Sequence, residues 1–94
     1  MEKMIKTQIV AALEQLPGWP YDQGSITKTF TFKNFREAFS AMTRIAFECE
    51  GMDHHPDWRN VYNTLEVALS THDAGGVTQK DFDLAQRIEK ILIK

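Results

Sequence analysis

The residues best suited to chemistry lie in the second half of the chain, where all three histidines fall between residues 54 and 72. An imidazole titrates near neutral pH, so it can both donate and accept protons there. Four carboxylates flank these histidines: Glu50, Asp53, Asp73 and Asp81. The combination predicts general acid–base catalysis. The alternative is a zinc site of three histidines and one carboxylate, but no two histidines stand at i, i+4 spacing to preorganise one.

The backbone near the histidines predicts that they lie in different surroundings. Pro56 disfavours the α region for His55, so His54 and His55 are predicted on extended or loop backbone with diverging side chains and different tasks. His72 is predicted to follow a strand over 65–71. The hairpin between these segments could bring His54 and His72 to one end of a sheet, around a shared cleft.

The elements that must position these residues are read from apolar periodicity, turn residues and caps. The predicted helices cover 3–15, 34–50 and 78–92, and the predicted strands cover 19–22 (a short extended piece), 25–32, 58–62 and 65–71. The order α-β-β-α-β-β-α predicts an α+β fold, with a four-stranded antiparallel sheet and helices packed on one face. One domain over residues 1–94 is expected at this length.

The helix over 34–50 has a predicted start, end and buried stripe. Asn34 and Glu37 resemble a capping box, and Gly51 is expected to take the left-handed cap position. The residues predicted to form its core-facing stripe recur at helical spacing: Phe35, Phe39, Met42, Ala46 and Cys49.

Local signals also mark the strands and the last helix. Lys28 interrupts the apolar face of its strand, which indicates a strand edge or a partly covered face. Asn63-Thr64 is predicted as the hairpin turn. Thr78 and Asp81 form a predicted capping box, so Asp81 has a structural role available as well as a chemical one, and a carboxylate at a helix N-terminus is stabilised by backbone N–H groups.

The full spacing reads Glu50-x₃-His54-His55-Pro56-x₅-Tyr62-x₉-His72-x₈-Asp81, within the segments ECEGMDHHPDWRNVY and LSTHDAGGVTQKD. It resembles the pterin-4a-carbinolamine dehydratase family, also known as dimerisation cofactors of a homeodomain transcription factor. The resemblance implies removal of water from a 4a-hydroxytetrahydropterin, left by an aromatic amino acid hydroxylase, to give the quinonoid dihydropterin. It further implies that an acid protonates the departing hydroxyl while a base takes a ring N–H proton.

The resemblance also implies residue roles. His54 and His72 would be the acid–base pair, with His55 and Asp81 as further catalytic residues that shape the pocket and orient the histidines. The implied substrate-binding residues are Glu50, Asp53, His54, His55, Trp58, Ser70, Thr71, His72 and Asp73. Trp58 would wall the pocket or pack in the core, and Tyr62 is interpreted as a packed strand aromatic. Neither a metal nor a cofactor is expected, because the pterin is the substrate.

Composition limits the other classes of function. The net charge is -2 and no run of Lys or Arg occurs, which argues against direct nucleic-acid binding. Cys49 is the only cysteine, so a disulfide within the chain is impossible. No signal peptide or membrane span is apparent, and a cytoplasmic protein is expected. A homodimer or homotetramer is expected from an open sheet in so short a chain, and a non-enzymatic dimerisation module is the alternative function.

Overall fold

The computed structural model describes residues 2–92, and these confirm the predicted α-β-β-α-β-β-α order. The elements are α1 (Lys6–Leu13), β1 (Tyr21–Asp22), β2 (Ser25–Thr31), α2 (Phe35–Met52), β3 (Asp57–Val61), β4 (Thr64–Leu69), a 3₁₀ turn (His72–Ala74) and α3 (Gln79–Leu92). Three members of the predicted domain, Met1, Ile93 and Lys94, lie outside the described residues. No helix within 2–92 is both long enough and apolar enough to cross a membrane.

The four strands form one antiparallel sheet in the order β1-β2-β4-β3. Ile26 at the start of β2 pairs with Leu69 at the end of β4, and Asp57 at the start of β3 pairs with Ala68. The register therefore places the segment before β3 and the segment after β4 at the same end of the sheet. These segments carry His54 and His72, as the sequence predicted.

One face of the sheet packs against the helices. Its buried residues alternate along the strands, as period-two side chains do. The buried apolar residues of the sheet and of the two longer helices are Ile26, Leu65, Val67, Leu69, Ala38, Ala41, Ile45, Cys49, Phe82, Leu84, Ala85 and Ile88. Val77, just before α3, and Phe82 in its first turn are both buried.

The predicted core stripe of α2 was wrong for most of its members. Phe35, Phe39 and Ala46 are exposed, Met42 is half-buried and Cys49 alone is fully buried. The helix buries Ala38, Ala41 and Ile45 together with Cys49 instead. The aromatic side chains of α2 form a second stripe on its outer surface, and Phe47 is 74% exposed there.

Two helix ends differ from their predicted positions. The first helix is shorter than the predicted 3–15, because the Gln8 side chain caps it at Ile5, accepting the Ile5 N–H at 2.9 Å. The second helix runs past Gly51 to Met52, and Asp53 takes the left-handed conformation with φ 52°. Aspartate tolerates that region better than most residues, so the helix does not need the glycine as its cap.

The β3–β4 hairpin also turns one residue earlier than predicted. The turn residues are Tyr62 and Asn63, with Tyr62 at φ 54°, and not Asn63-Thr64. The Asn63 side chain donates to the Phe32 carbonyl at 2.9 Å, which joins the hairpin to the end of β2. Tyr62 is 61% exposed, so its interpretation as a packed strand aromatic was wrong.

Lys28 lies where the sheet is only partly covered, as its position predicted. The short strand β1 pairs only with Ser25 and Ile26 of β2. The Lys28 ammonium donates to Glu89 of α3 at 2.6 Å and sits 5.0 Å from the Phe30 ring centre. Trp19 donates to the same Glu89 oxygen at 2.9 Å, so this group joins β2, α3 and the loop before β1.

Candidate active site

The chain turns at the end of α2, so that His54 lies in the protein interior. The left-handed Asp53 reverses the chain direction, and the His54 N–H donates to the Cys49 carbonyl at 3.0 Å, as in a Schellman-type helix end. The His54 side chain is 8% exposed. It is therefore a largely buried imidazole.

The buried partner of His54 is Asp81, in the first turn of α3. His54 Nε2 lies 2.6 Å from Asp81 Oδ1, and the Asp81 side chain is completely buried. Its other oxygen, Oδ2, accepts the Thr78 backbone N–H at 2.9 Å and the Thr71 hydroxyl at 2.9 Å. The predicted capping box and the predicted site carboxylate are thus the same group, held by three hydrogen bonds at a helix N-terminus that favours negative charge.

This geometry selects one tautomer of the His54 ring. A carboxylate offers only acceptors, so the ring nitrogen facing Asp81 must carry the hydrogen. Nε2 is therefore the donor, and Nδ1 of the neutral ring keeps its lone pair. A histidine oriented in this way can take a proton at Nδ1 while the carboxylate stabilises the resulting imidazolium, which is the arrangement that general bases use.

His72 belongs to the 3₁₀ turn that follows β4, and its side chain is exposed. The strand β4 ends at Leu69, two residues before the predicted end. Gly75 closes the turn at φ 74°, a region that favours glycine. His72 lines a shallow cleft of about 240 Å³ together with Gln23, Gly24, Ser25, Ser70, Thr71, Gly75 and Gly76.

The turn between β1 and β2 and the first residue of β2 contribute three cleft residues that were not predicted as site residues: Gln23, Gly24 and Ser25. The glycine signalled a turn, but only the strand order places that turn beside β4. Among the described residues that line the cleft, His72 is the only histidine. His54 and His72 are instead connected through Asp81 and Thr71, the residue immediately before His72.

The other predicted site residues surround this end of the sheet. His55 Nε2 pairs with Glu50 Oε1 at 2.7 Å on the surface, away from Asp81, which agrees with the predicted divergence of the two adjacent histidines. Asp53 and Asp73 are exposed, and Ser70 is half-buried. Trp58 is half-buried and packs against the hydrophobic core.

Cys49 lies beneath this site and its side chain is 1% exposed. Burial raises the pKa of the Cys49 thiol, although a backbone hydrogen bond opposes the shift, and the Glu48 and Glu50 carboxylates add to it. The thiol therefore remains protonated and is a poor nucleophile. Across residues 2–92, no three His, Cys, Asp or Glu side chains are grouped to hold a metal ion.

The fold and these contacts define a small α+β domain with a buried histidine–carboxylate pair at one end of an antiparallel sheet. Residues 2–91 match the family model described as pterin 4 alpha carbinolamine dehydratase. The chain therefore belongs to that family.

Individual relatives agree with this assignment. A protein of Christiangramia forsetii is 54% identical over 92 residues, covering 98% of this chain and 95% of its own. A protein of Afipia carboxidovorans is 59% identical over 83 residues, covering 86% and 83%. Both names assign them provisionally to the pterin-4-alpha-carbinolamine dehydratases. A crystal structure from Brucella melitensis, described as a transcriptional coactivator/pterin dehydratase, has a TM-score of 0.93 and 37% identity, covering 96% of this chain and 98% of that one.

Proposed function

We propose that this protein is a dehydratase that removes water from a 4a-hydroxytetrahydropterin. The single observation that carries the proposal is the 2.6 Å contact between His54 Nε2 and the completely buried Asp81 carboxylate. A fully buried charge is costly unless it is paired and hydrogen-bonded. Here two hydrogen bonds to Oδ2 hold the carboxylate while Oδ1 faces the histidine, which is the support that an acid–base catalyst needs.

In the proposed reaction the C4a–O bond breaks and a ring N–H bond breaks, so that water leaves and a C=N bond forms. The elements of water are lost without oxidation or reduction, so the reaction requires only proton transfers. Hydroxide is a poor leaving group, and an acid must protonate it as the bond breaks. Positioned acid–base groups supply about 10²–10⁴-fold in rate.

We assign these transfers to His54 and His72. Nδ1 of His54 has the lone pair needed to take the ring proton, and we assign the donation to the hydroxyl to the exposed His72 at its cleft. His55 and Asp81 complete the proposed catalytic set. The proposed pterin contacts come from the surrounding residues Glu50, Asp53, Trp58, Ser70, Thr71 and Asp73. The proposed reaction uses no metal or cofactor.

The names of the relatives support the substrate class, because pterin-4-alpha-carbinolamine dehydratase recurs among proteins that are 49–59% identical to this chain. The proposed setting is tetrahydropterin recycling in the cytoplasm, with a functional link to an aromatic amino acid hydroxylase. We draw this setting from the family resemblance, and the contact between His54 and Asp81 supports the acid–base mechanism.

The test is a coupled assay with phenylalanine hydroxylase. The hydroxylase produces the 4a-hydroxypterin, whose absorbance decays slowly by itself, and addition of this protein should accelerate the decay in proportion to its concentration. Asp83→Asn is the matched control variant, because Asp83 is an exposed carboxylate on α3 that accepts a hydrogen bond from the Gln79 amide at 3.0 Å. Unchanged decay with the folded wild-type protein would refute the proposed function.

A second candidate function is a protein-binding module, favoured by the description of the Brucella melitensis protein as a transcriptional coactivator. The exposed side chains that would serve it are Phe35, Phe39 and Phe47 on α2. A protein with this role alone would bind a partner and leave the 4a-hydroxypterin untouched. The coupled assay therefore separates the two functions.

We also propose that the protein forms a homodimer or homotetramer. Within residues 2–92, β3 is the last strand of the sheet order and its outer edge is unpaired, and unpaired edges favour association. The exposed aromatic stripe of α2 offers a second contact surface. Light scattering at micromolar concentration should give two or four times the monomer mass of 10.8 kDa, and a monomer mass would contradict this proposal.

A further inference from the structure

The side chain of Thr71 links the elements that carry the two proposed catalytic histidines. Its hydroxyl donates to Asp81 Oδ2 at 2.9 Å and lies 2.7 Å from the Thr78 hydroxyl. A hydroxyl has one hydrogen, so Thr78 must be the donor in the second bond. The Thr71 hydroxyl therefore has no hydrogen left to give to a substrate.

The backbone of Thr71 holds the turn that carries His72. Its N–H donates to the Gly76 carbonyl at 2.8 Å, and its carbonyl accepts the N–H groups of Ala74 at 3.1 Å and Gly75 at 3.0 Å. These backbone hydrogen bonds tie the loop between β4 and α3 to Thr71. One residue is thus fixed to the His72 turn by its backbone and to the buried carboxylate by its side chain.

We propose that Thr71 is a positioning residue that couples the two histidines, aiming Asp81 at His54 while anchoring the turn of His72. The catalytic part of this inference rests on the proposed dehydratase function. Without the Thr71 hydroxyl, Oδ2 would keep only the Thr78 N–H, and the carboxylate could rotate away from the ring. The Nε2–H tautomer of His54 would then no longer be fixed. The side-chain hydrogen bond that joins the His72 turn to α3 would also be lost.

The experiment compares Thr71→Val, which replaces the hydroxyl with a methyl group of similar size, with Thr71→Ser, which keeps the hydroxyl. Thr31→Val is the control, because Thr31 is an exposed threonine at the far end of β2. The readouts are kcat and KM in the coupled assay and the ring ¹⁵N chemical shifts of His54, which distinguish its tautomers.

Thr71→Val should lower kcat by about 10–100-fold with KM changed less than about 3-fold, because a misplaced catalytic group costs up to about 10²-fold in rate. Its His54 signals should move from the Nε2–H tautomer towards a mixture of both. Thr71→Ser should restore the wild-type tautomer and kcat to within about 3-fold, since it retains the bond to Asp81. The Thr31→Val protein should match the wild type.

Wild-type His54 tautomer populations in Thr71→Val would overturn the proposal, and so would a Thr71→Ser variant as impaired as Thr71→Val. If Thr71→Val fails to fold, the same readouts on Thr71→Ala decide between the same outcomes. The ¹⁵N measurement needs no substrate. A wild-type protein without dehydratase activity would therefore refute the proposed function, while the tautomer comparison would still decide whether Thr71 fixes Asp81.

Discussion

Replacing Asp81 with asparagine is the sharpest test of the buried pair, because it preserves the shape of the side chain and removes its charge. The amide oxygen can still accept the Thr78 N–H and the Thr71 hydroxyl, as Oδ2 does at 2.9 Å in both bonds. The amide NH₂ would then face His54, now as a donor in place of an acceptor. Nε2 would have to accept that hydrogen bond, which forces the ring into the Nδ1–H tautomer.

The cost in stability follows from these contacts. Two retained hydrogen bonds change from charge-assisted to neutral, each losing about 1 kcal/mol, and the favourable interaction with the α3 N-terminus loses about 0.5 kcal/mol. Relief of the buried charge offsets part of this loss. We expect the free energy of unfolding to fall by about 1–2 kcal/mol, which lowers Tm by roughly 4–16 °C in a domain of this size.

The cost in activity should be larger, since Nδ1 would no longer have a lone pair to take the substrate proton. The analogous change in serine proteases, which enforces the wrong histidine tautomer, lowers kcat by about 10⁴-fold. We expect a fall in kcat of about 10²–10⁴-fold for Asp81→Asn. The coupled assay measures this below the lowered Tm, with Asp83→Asn as the control on the same helix.

Two results would refute this reasoning. A folded Asp81→Asn protein with wild-type kcat would mean that the tautomer of His54 does not matter to the reaction. A loss of activity with unchanged His54 ¹⁵N shifts would mean that Asp81 acts by another route. Loss of activity in Asp83→Asn as well would point to a general effect of charge on α3.

Further expectations concern the histidines, the cysteine and metal. His54→Ala and His72→Ala should each lower kcat by about 10–10³-fold, and the double variant should be far less impaired than their product, because a concerted route is already closed by the first loss; strictly multiplicative kinetics would contradict this. His55→Ala should raise KM more than it lowers kcat, and the opposite split would place His55 in the proton transfers. Native Cys49 should react with a thiol reagent about 10²-fold more slowly than in urea, and equal rates would contradict its burial. Exhaustive chelation should leave activity intact, whereas a loss restored by zinc would overturn the metal-free proposal.

The sequence predicted the fold well where a single signal acts alone. Asn34 starts α2 through its side chain, which accepts the Glu37 N–H at 2.9 Å, and Asp81 caps α3 as expected. Strand β2 alternates as its sequence does. These are local effects, and each depends on residues three or fewer positions apart.

The sequence misled where two patterns compete. Helix α2 carries one apolar stripe with Ala38, Ala41 and Ile45 and another with Phe35 and Phe39. Both have helical spacing, so periodicity cannot decide which stripe packs inside, and residue size favoured the wrong one. Gly51 was expected as the cap because glycine prefers the left-handed conformation. That local preference could not show that the helix continues to Met52 and that Asp53 takes the left-handed position.

The candidate site was predictable in its residue types and less so in its connections. The family resemblance placed His54 and Asp81 in one site, but the roles of the two Asp81 oxygens depend on the packing of α3 against the end of β4. The hydroxyl of Thr71 and the turn at Gln23 depend likewise on the strand order. No pattern within a short window of sequence contains that information.

Because Asp81 both caps α3 and holds His54, the proposed mechanism makes helix fraying and loss of activity one event. When the first turn of α3 opens, the Thr78 N–H and the His54 ring lose their partner together. Hydrogen exchange at the start of α3 would therefore measure the fraction of molecules that are momentarily inactive. Under increasing denaturant, catalysis would be lost when this helix end opens, which can occur before the rest of the fold unfolds. Selection for turnover would therefore also select for a helix whose first turn stays closed.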